Sequence, residues 1–266
     1  RRVFSTVVGV AGCTALIVTA ITLNNDVLAS YDRHYSDVYN FNALTYVDSS
    51  VDGANDKVEK TLQNQGSLTA QAVRKSFVLT QPDGDRGTIR IIVPKDNEAF
   101  SQIYHVNPRS GGTYDASQEG AWVSQAYAEH FGAKEGDMLR VDAGDGTVHN
   151  IPILGFYEFW LTYNEVVMNS TYYEKEFSTT LAPNLVLANT GNASVAEVAP
   201  SLTGIDGFDS ISDDKIYQHR NFESFASVSS AVVLIYIALS VLMAIVVLLN
   251  LNVMFIDEKK RELIVL

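Results

Sequence analysis

The side chains that could carry out chemistry are scattered along this 266-residue sequence. The stretch DAGDGTV at 142–148 is similar to a calcium loop, but it lacks the alternating acidic ligands and the closing glutamate, and a hairpin turn explains it better. No HExxH motif or histidine pair at metal-ligand spacing occurs, so we interpret the histidines as surface or structural residues. They are His34, His105, His130, His149 and His219. We expect no metal and no cofactor.

The motifs of nucleophilic and nucleotide chemistry are also missing from the sequence. There is no GxSxG and no GxxxxGK[ST]. We therefore expect that the chain is not an enzyme, and that any ATP hydrolysis it depends on takes place on another chain. The formal charge of −12 disfavours a nucleic-acid partner, whose phosphates require a basic surface.

Hydrophobic residues are concentrated at the two ends of the chain. Residues 3–25 form an uncharged run of 23 residues, and residues 225–256 form one of 32. About 20 apolar residues in a helix cross the hydrocarbon core of a bilayer, so each run predicts a transmembrane helix. The first could also be a cleaved signal peptide, but it is longer than the usual hydrophobic region of one, which favours an uncleaved anchor.

The charges that flank the two runs predict their orientation. Arg1 and Arg2 precede the first run, and the basic residues of 259–261 follow the second, so both termini should be cytoplasmic and residues 26–224 extracellular. That outer segment contains 28 of the 31 acidic residues and 14 of the 19 basic residues, so its formal charge is −14. Cys13, the single cysteine, lies in the first run, so the outer segment has no disulfide, and this favours a bacterial source.

The outer segment begins with an amphipathic pattern and continues with alternating strand and helix patterns. Val27, Tyr31, Tyr35 and Tyr39 follow at helical spacing and predict a stalk, whose tyrosines we expect to pack on the domain or at the membrane interface. Beyond it, apolar alternation and turn residues predict strands within 41–48, 69–80, 86–94, 121–123, 164–170 and 183–189, with helices at 52–65, after Ser124, at 171–177 and at 194–202. The predicted fold is α+β, a mixed α/β outer domain flanked by two transmembrane helices with helical stalks.

Small residues recur in the first run at helical spacing. Ser5, Gly9 and Cys13 lie four residues apart, and Ala11, Ala15 and Thr19 repeat this on a neighbouring face. Small side chains let helices approach closely in lipid. We predict helix packing through Ser5, Gly9, Gly12 and Cys13.

The C-terminal sequence FIDEKKRELIVL combines charges of both signs with renewed hydrophobicity. A simple membrane anchor uses Lys and Arg but not acidic residues followed by an apolar tail, so the pattern predicts a segment that docks on another protein or re-enters the membrane.

NVMFIDEKKRELIVL resembles the junction in FtsX/MacB-type ABC transporter permeases, where a span enters the cytoplasmic coupling segment that contacts the ATPase. The first run, VVGVAGCTALIVTAITL, is similar to the opening span of the repeated half in large Gram-positive members. Within the outer segment, GAWVSQAYAEHFGAKEGDMLRV, ILGFYE and YYEKEF resemble the MacB-like core domain in the same order. The family's half-permease has four spans and this sequence has two, which indicates a piece of one half.

The resemblance implies a permease subunit in a bacterial plasma membrane, where a cytoplasmic ABC ATPase drives movement of the outer domain. Its partners would be that ATPase, other helices of the permease and membrane lipid, and its cargo a lipid, a peptide or a lipoprotein. It assigns ATPase coupling to Glu258, Lys260, Arg261 and Glu262. The implied organisation is a first span at 1–25, a stalk at 26–45, a core domain at 46–212, a stalk at 213–227, a second span at 228–254 and a coupling segment at 255–266.

A two-span sensor with an extracellular ligand-binding domain is the alternative interpretation. Such a receptor continues into a cytoplasmic coiled coil or kinase-like module after its second span, whereas a permease continues into two further spans.

Overall fold

The computed structural model describes residues 2–81, 84–111, 114–144, 146–159 and 164–265. The side chains of several residues within its two long helices, α1 (Arg2–Arg33) and α7 (Asp214–Val265), lie outside this description. The chain divides into two compact units, one formed by residues 1–29 and 220–266 and the other by residues 30–219. The second unit therefore includes the outer part of both predicted stalks.

One helical segment among the described residues is long and apolar enough to cross a membrane. It is Ser230–Val253 in α7, with 24 residues, and it coincides with the second predicted span. The first predicted span lies in α1, where the side chains of residues 1–10 are outside the described part. Its role as a membrane span stays a prediction.

Residues 30–219 form a mixed α/β domain, as the sequence patterns predict. The strands are β1 (Ala43–Val47), β2 (Leu68–Thr80), β3 (Arg86–Pro94), β4 (Ala121–Ser124), β5 (Met138–Asp142), β6 (Val148–Tyr157), β7 (Glu165–Met168), β8 (Leu185–Asn189) and β9 (Phe208–Asp213). The helices are α2 (Ala54–Asn64), α3 (Asn97–Ile103), α4 (Gln125–Phe131), α5 (Ser170–Phe177) and α6 (Val195–Val198), the last followed by a 3-10 turn (Ala199–Ser201).

Six of these strands close into a barrel. The pairs β2–β3, β3–β7, β7–β4, β4–β6, β6–β5 and β5–β2 complete a circuit, in which β3–β7 and β4–β6 are parallel. Every strand of the circuit contributes alternate residues to one buried cluster, including Leu79, Ile91, Val123, Leu139 and Ile151. This cluster fills the barrel because successive side chains of a strand point to opposite faces.

The long strand β2 extends beyond the barrel into a second sheet. Its first residues pair with β8, β8 pairs with β1, and β1 pairs with β9. Helices α2 and α6 cover one face of this sheet with a core that includes Val58, Leu62 and Val198. A third core lies under α3 and joins the outside of the barrel to the other face, through residues such as Phe100, Ile92 and Leu187.

Two local features differ from the sequence-based expectation. Helix α3 was absent from the predicted elements, although Asp96 caps it by accepting hydrogen bonds from the amides of Glu98 and Ala99. The first stalk, predicted to be helical over 26–45, ends in a π-helical turn (His34–Val38), and β1 begins at Ala43. The reason is burial, since Tyr39 and Phe41 enter the core and the chain must extend to reach the sheet.

Candidate functional site

The stalk junction, which comprises Tyr31, Tyr35, Asp214, Lys215 and His219, joins the end of α1 to the start of α7. The Tyr31 hydroxyl donates a hydrogen bond to the Lys215 carbonyl at 2.8 Å, and the Tyr35 hydroxyl donates one to Asp214 Oδ2 at 2.6 Å. The Tyr31 ring also meets the His219 ring edge-on, with centroids 5.2 Å apart. Of these two tyrosines, Tyr35 also packs against the core under α3, as predicted for the stripe, whereas the contacts of Tyr31 are with the second stalk.

Strand pairing brings the two stalks to the same place. The strand that follows the first stalk, β1, pairs with the strand that precedes the second, β9, with Ala43 opposite Asp213. At the end of this pair the Asp214 amide donates to the Asn42 carbonyl at 2.8 Å. The two stalks are thus held at one edge of one sheet by backbone and side-chain hydrogen bonds.

The titratable groups of the junction are shaped by burial. Burial raises the pKa of Asp214, and the hydrogen bond from Tyr35 and the charge of Arg74 act against that rise. Burial, followed by the charge of Asp214, raises the pKa of Tyr35 far above its ordinary value. The pKa of Tyr31 rises to about 12 through burial and its acidic neighbours. Both tyrosines therefore remain hydrogen-bond donors at neutral pH.

A second polar group, the Glu165 cluster, lies inside the domain next to the first stalk. Glu165, at the start of β7, is 1% exposed. It accepts hydrogen bonds from the hydroxyls of Tyr39 at 2.8 Å and Tyr104 at 2.9 Å, and it pairs with Arg74 at 3.0 Å and more loosely with Arg90 at 3.9 Å. The carboxylate of Glu165 therefore contacts the end of the first stalk, the end of α3 and the barrel strands β2 and β3.

The charge state of the Glu165 cluster follows from competing effects. Burial alone would raise the pKa of Glu165, but the charges of Arg74 and Arg90 and the hydrogen bonds from both tyrosines hold it below its usual value. Burial would lower the pKa of Arg74, yet Glu165 outweighs it and the pKa rises. The cluster is therefore a buried network of ionised side chains. Removing one member of such a network is strongly destabilising.

The π-helical turn lies between the junction and the cluster. Its defining bond runs from the Tyr39 amide to the His34 carbonyl at 2.8 Å, five residues apart. The His34 side chain is fully buried, and the centroid of its ring lies 4.1 Å from that of the Tyr39 ring and 4.6 Å from that of the Phe159 ring. Burial lowers the pKa of His34 to about 3. The turn thus connects Tyr35, bound to the second stalk, with Tyr39, bound to the barrel.

A loop after α3 holds the same turn from the other side. The His105 amide donates to the Val38 carbonyl at 2.8 Å, and Asn107 Nδ2 donates to the Asp37 carbonyl at 2.9 Å. The last turn of the first stalk is therefore hydrogen-bonded to the second stalk, to the barrel and to the loop after α3.

The residues predicted to couple to an ATPase lie in the last turns of α7. Lys260 is exposed, whereas the side chains of Glu258, Arg261 and Glu262 lie outside the described residues. Of the predicted helix-packing residues in α1, Gly12 is exposed, and a Cβ added there would meet no described atom within 4 Å. Ser5, Gly9 and Cys13 have side chains outside the description. Both sets stay predictions.

Sequence reasoning did not identify Glu165, Arg74 or Asp214 as functional candidates. A signal for Glu165 exists in EVVM, where an acidic residue opens a fully buried strand. Strand alternation places Arg74 on the face opposite to Val73, but an arginine at that position does not by itself indicate a buried acidic partner. Within the described part of the chain, no group of three or more His, Cys, Asp or Glu side chains could hold a metal ion.

No protein-family model matches the chain, and no curated protein sequence matches it significantly. Among solved structures, it is similar to the extracellular domain of the noncanonic ABC-type transporter YknZ from Gram-positive bacteria, at 13% identity and a TM-score of 0.39, covering 63% of this chain and 95% of that one. It is also similar to the periplasmic region of MacB from Actinobacillus actinomycetemcomitans, at 10% identity and a TM-score of 0.41, covering 68% of this chain and 93% of that one. These neighbours are extracellular or periplasmic domains of FtsX/MacB-type ABC transporter permeases.

Proposed function

We propose that the chain is part of an FtsX-like permease subunit of an ABC transporter in a bacterial plasma membrane. In this proposal a separate cytoplasmic ATPase hydrolyses ATP and drives movement of the extracellular α/β domain. Both termini are cytoplasmic, and residues 26–224 face outward. The cargo belongs to the class of lipids, peptides or lipoproteins.

The observation that carries the proposal is the stalk junction. If the domain is moved through its two stalks, both stalks must act on it at one place. Here Tyr31 and Tyr35 of the first stalk bind the first residues of α7, which begin the second stalk. The strands β1 and β9 that continue from the stalks are hydrogen-bonded neighbours. A displacement of either stalk would therefore load the same edge of the sheet.

The Glu165 cluster supports a path from the first stalk into the barrel. Tyr39 is the residue that ends the π-helical turn, and its hydroxyl binds the same carboxylate as Arg74 of β2. Because Glu165 and Arg74 lie on barrel strands, motion of Tyr39 would be transmitted to the barrel through ionised hydrogen bonds, which are stronger than neutral ones.

At the other end, the charged turn at 257–262 supports contact with the ATPase. Lys259 and Lys260 are exposed there, in a helix that continues from the candidate span. We assign the coupling contacts to Glu258, Lys260, Arg261 and Glu262, because a turn with charges of both signs can form paired contacts with another protein.

The test is a charge exchange in the full-length protein. Arg261→Glu combined with Glu262→Arg retains net charge and hydrophobic length, so insertion should be unchanged while ATP hydrolysis is uncoupled from the outer domain. The matched control is Lys259→Arg, which keeps the sign of the charge at a neighbouring exposed residue without an assigned coupling contact. If ligand-dependent ATPase activity in the double variant equals that of the unchanged protein, the assignment of these residues is wrong.

A two-span sensor is the second candidate, and one observation favours it. A cavity of about 350 Å³ lies beside the loop that holds the first stalk, which is where a sensor would bind its ligand. The copurifying partner distinguishes the two functions, since a permease should copurify with an ATPase and a sensor should copurify with a kinase or a cyclase.

A further inference from the structure

The π-helical turn (His34–Val38) contains one residue more than a regular helical turn needs. Its bond from the Tyr39 amide to the His34 carbonyl spans five residues, whereas the bonds of an α-helix span four. Ser36 is exposed, and its side chain forms hydrogen bonds only with neighbours in the same stalk. The extra residue is therefore accommodated at the surface.

The contacts on either side of the turn do not require this residue. If Ser36 were deleted, the same amide and carbonyl would be four residues apart and would form an ordinary α-helical bond. Tyr35 would still reach Asp214 and Tyr39 would still reach Glu165, because the backbone on each side of the deletion keeps its place. Turns of this kind are rare and occur frequently at functional sites. A conformation that the packing does not need indicates a use in movement.

The two halves of the turn are held unequally. Tyr39 is buried, and its hydroxyl binds the ionised Glu165 inside the domain. The carbonyls of Asp37 and Val38 accept hydrogen bonds from the loop after α3. Tyr35, in contrast, is only partly buried where its hydroxyl binds the second stalk. The half that contains Tyr35 is therefore the one that can move.

From these contacts we propose that the first stalk has a second register on the domain. In this register the Tyr39 amide donates to the Tyr35 carbonyl, as in an α-helix, while the Tyr39 hydroxyl stays on Glu165. The helix before the turn rotates by about 100° and shifts by about 1.5 Å relative to Tyr39, which are the values for one residue of α-helix. Tyr35 then leaves Asp214, and His34 leaves its aromatic neighbours.

The second register separates the two stalks while the first stalk stays attached to the barrel. Exposing His34 costs less than exposing an apolar side chain of similar size, because the imidazole regains its hydration. A displacement of the first stalk therefore has a path that breaks the junction without unfolding the domain. The proposal concerns contacts within residues 30–219 alone, so it can be tested, and can fail, separately from the permease function.

Hydrogen exchange of the chain in lipid nanodiscs tests the second register. In the unchanged chain we expect the amides of residues 34–39 to exchange through a local opening, with little dependence on denaturant. Deletion of Ser36 leaves a single, α-helical register. The shortened chain should be at least as stable as the unchanged one, and its turn amides should exchange about tenfold more slowly or slower still.

Deletion of Asp32 is the matched control. Asp32 is an exposed residue of the same stalk, but it lies in the regular part of α1. Its deletion rotates Tyr31 away from Lys215 or Tyr35 away from Asp214, because each α-helical residue accounts for about 100° of turn. We therefore expect this chain to be less stable and its turn amides to exchange faster.

A substitution at the junction distinguishes a register change from simple stabilisation. Tyr35→Phe removes the hydrogen bond that holds the observed register, so it should speed exchange of the turn about fivefold or more in the unchanged chain. After deletion of Ser36 the same substitution should change this exchange much less, since no second register remains.

The following results would overturn the proposal. The chain without Ser36 would fail to fold, would lose as much stability as the chain without Asp32, or would exchange its turn amides at the unchanged rate. An equal effect of Tyr35→Phe with and without Ser36 would also contradict it, because the hydroxyl would then only stabilise the junction.

Discussion

The Tyr35 hydroxyl lies 2.6 Å from Asp214 Oδ2, and this hydrogen bond joins the end of the first stalk to the first residue of α7. Two residues further along the second stalk, α7 turns an exposed Ile216 to its surroundings. The contact therefore lies where the first stalk ends and α7 begins.

Removing this contact should destabilise the domain. Tyr35→Phe leaves a buried carboxylate without its tyrosine donor, and a hydrogen bond to a charged group contributes about 1.5–3 kcal/mol. We expect a loss in the free energy of unfolding of that size, measured by denaturant titration of the chain in nanodiscs. Tyr217→Phe is the matched control, since this stalk tyrosine is 62% exposed. Equal stability of the two variants would contradict the role of the junction.

Neutralising Glu165 should have a larger effect. Glu165→Gln leaves Arg74 and Arg90 without their carboxylate, and breaking a buried ion pair costs about 3–5 kcal/mol. The exposed Glu135→Gln should change the free energy of unfolding very little. A loss below about 1 kcal/mol for Glu165→Gln would mean that the network does not hold the barrel to the stalk.

We expect the domain to become less stable as the pH decreases, because of the buried His34 side chain. Burial lowers the pKa of His34 in the folded state to about 3, from an ordinary value of 6.5. As pH falls below 6.5 the unfolded chain binds a proton that the folded chain does not, so this part of the stability is present above 6.5 and is lost as the pH decreases. From pH 7 to pH 5 the loss due to His34 is about 2 kcal/mol.

Chemical denaturation at the two pH values measures this loss. His34→Gln cannot titrate, so its stability should fall less over the interval than that of the unchanged chain, by about 2 kcal/mol. His130→Gln changes an exposed histidine and should retain the full pH dependence. If His34→Gln shows the same slope as the unchanged chain, His34 is accessible to protons in the folded state.

The Asp96 cap of α3 should stabilise the helix and the core beneath it. Asp96→Ala removes the acceptor for the amides of Glu98 and Ala99, and loss of such a cap costs about 1 kcal/mol. Because α3 carries Phe100, which is buried in the core under the helix, we expect the free energy of unfolding to fall by this amount in a denaturant titration. Asp52→Ala, an exposed residue away from α3, is the control. Equal stability of the Asp96→Ala and Asp52→Ala proteins would mean that the cap does not stabilise the domain.

Patterns of residue spacing were sufficient to predict most elements of the domain. The β2–β3 hairpin, the helix capped by Ser124 and the β5–β6 hairpin all occur where apolar alternation and turn residues place them. The short helix α3 was missed because its seven residues hold too few turns for a periodic signal, and only the Asp96 cap could have indicated it.

The barrel closure and the polar contacts could not be read from local spacing. Closure depends on β2 pairing with both β3 and β5, and the Glu165 cluster unites residues that are 126 positions apart, as in Tyr39 and Glu165. The tyrosine stripe did predict packing on the domain, but the partner Asp214 is 179 positions away from Tyr35. Contacts at such separations follow from the tertiary fold rather than from periodicity.

The most direct test of the proposed function is purification of the full-length parent protein with the cytoplasmic ATPases of its own cell, followed by an ATP hydrolysis assay. We predict that one ATPase copurifies in stoichiometric amount, and that its binding is lost when residues 257–266 are replaced by a plain Lys-rich anchor. Recovery of a kinase instead, or of no ATPase, would contradict the permease function and favour the two-span sensor.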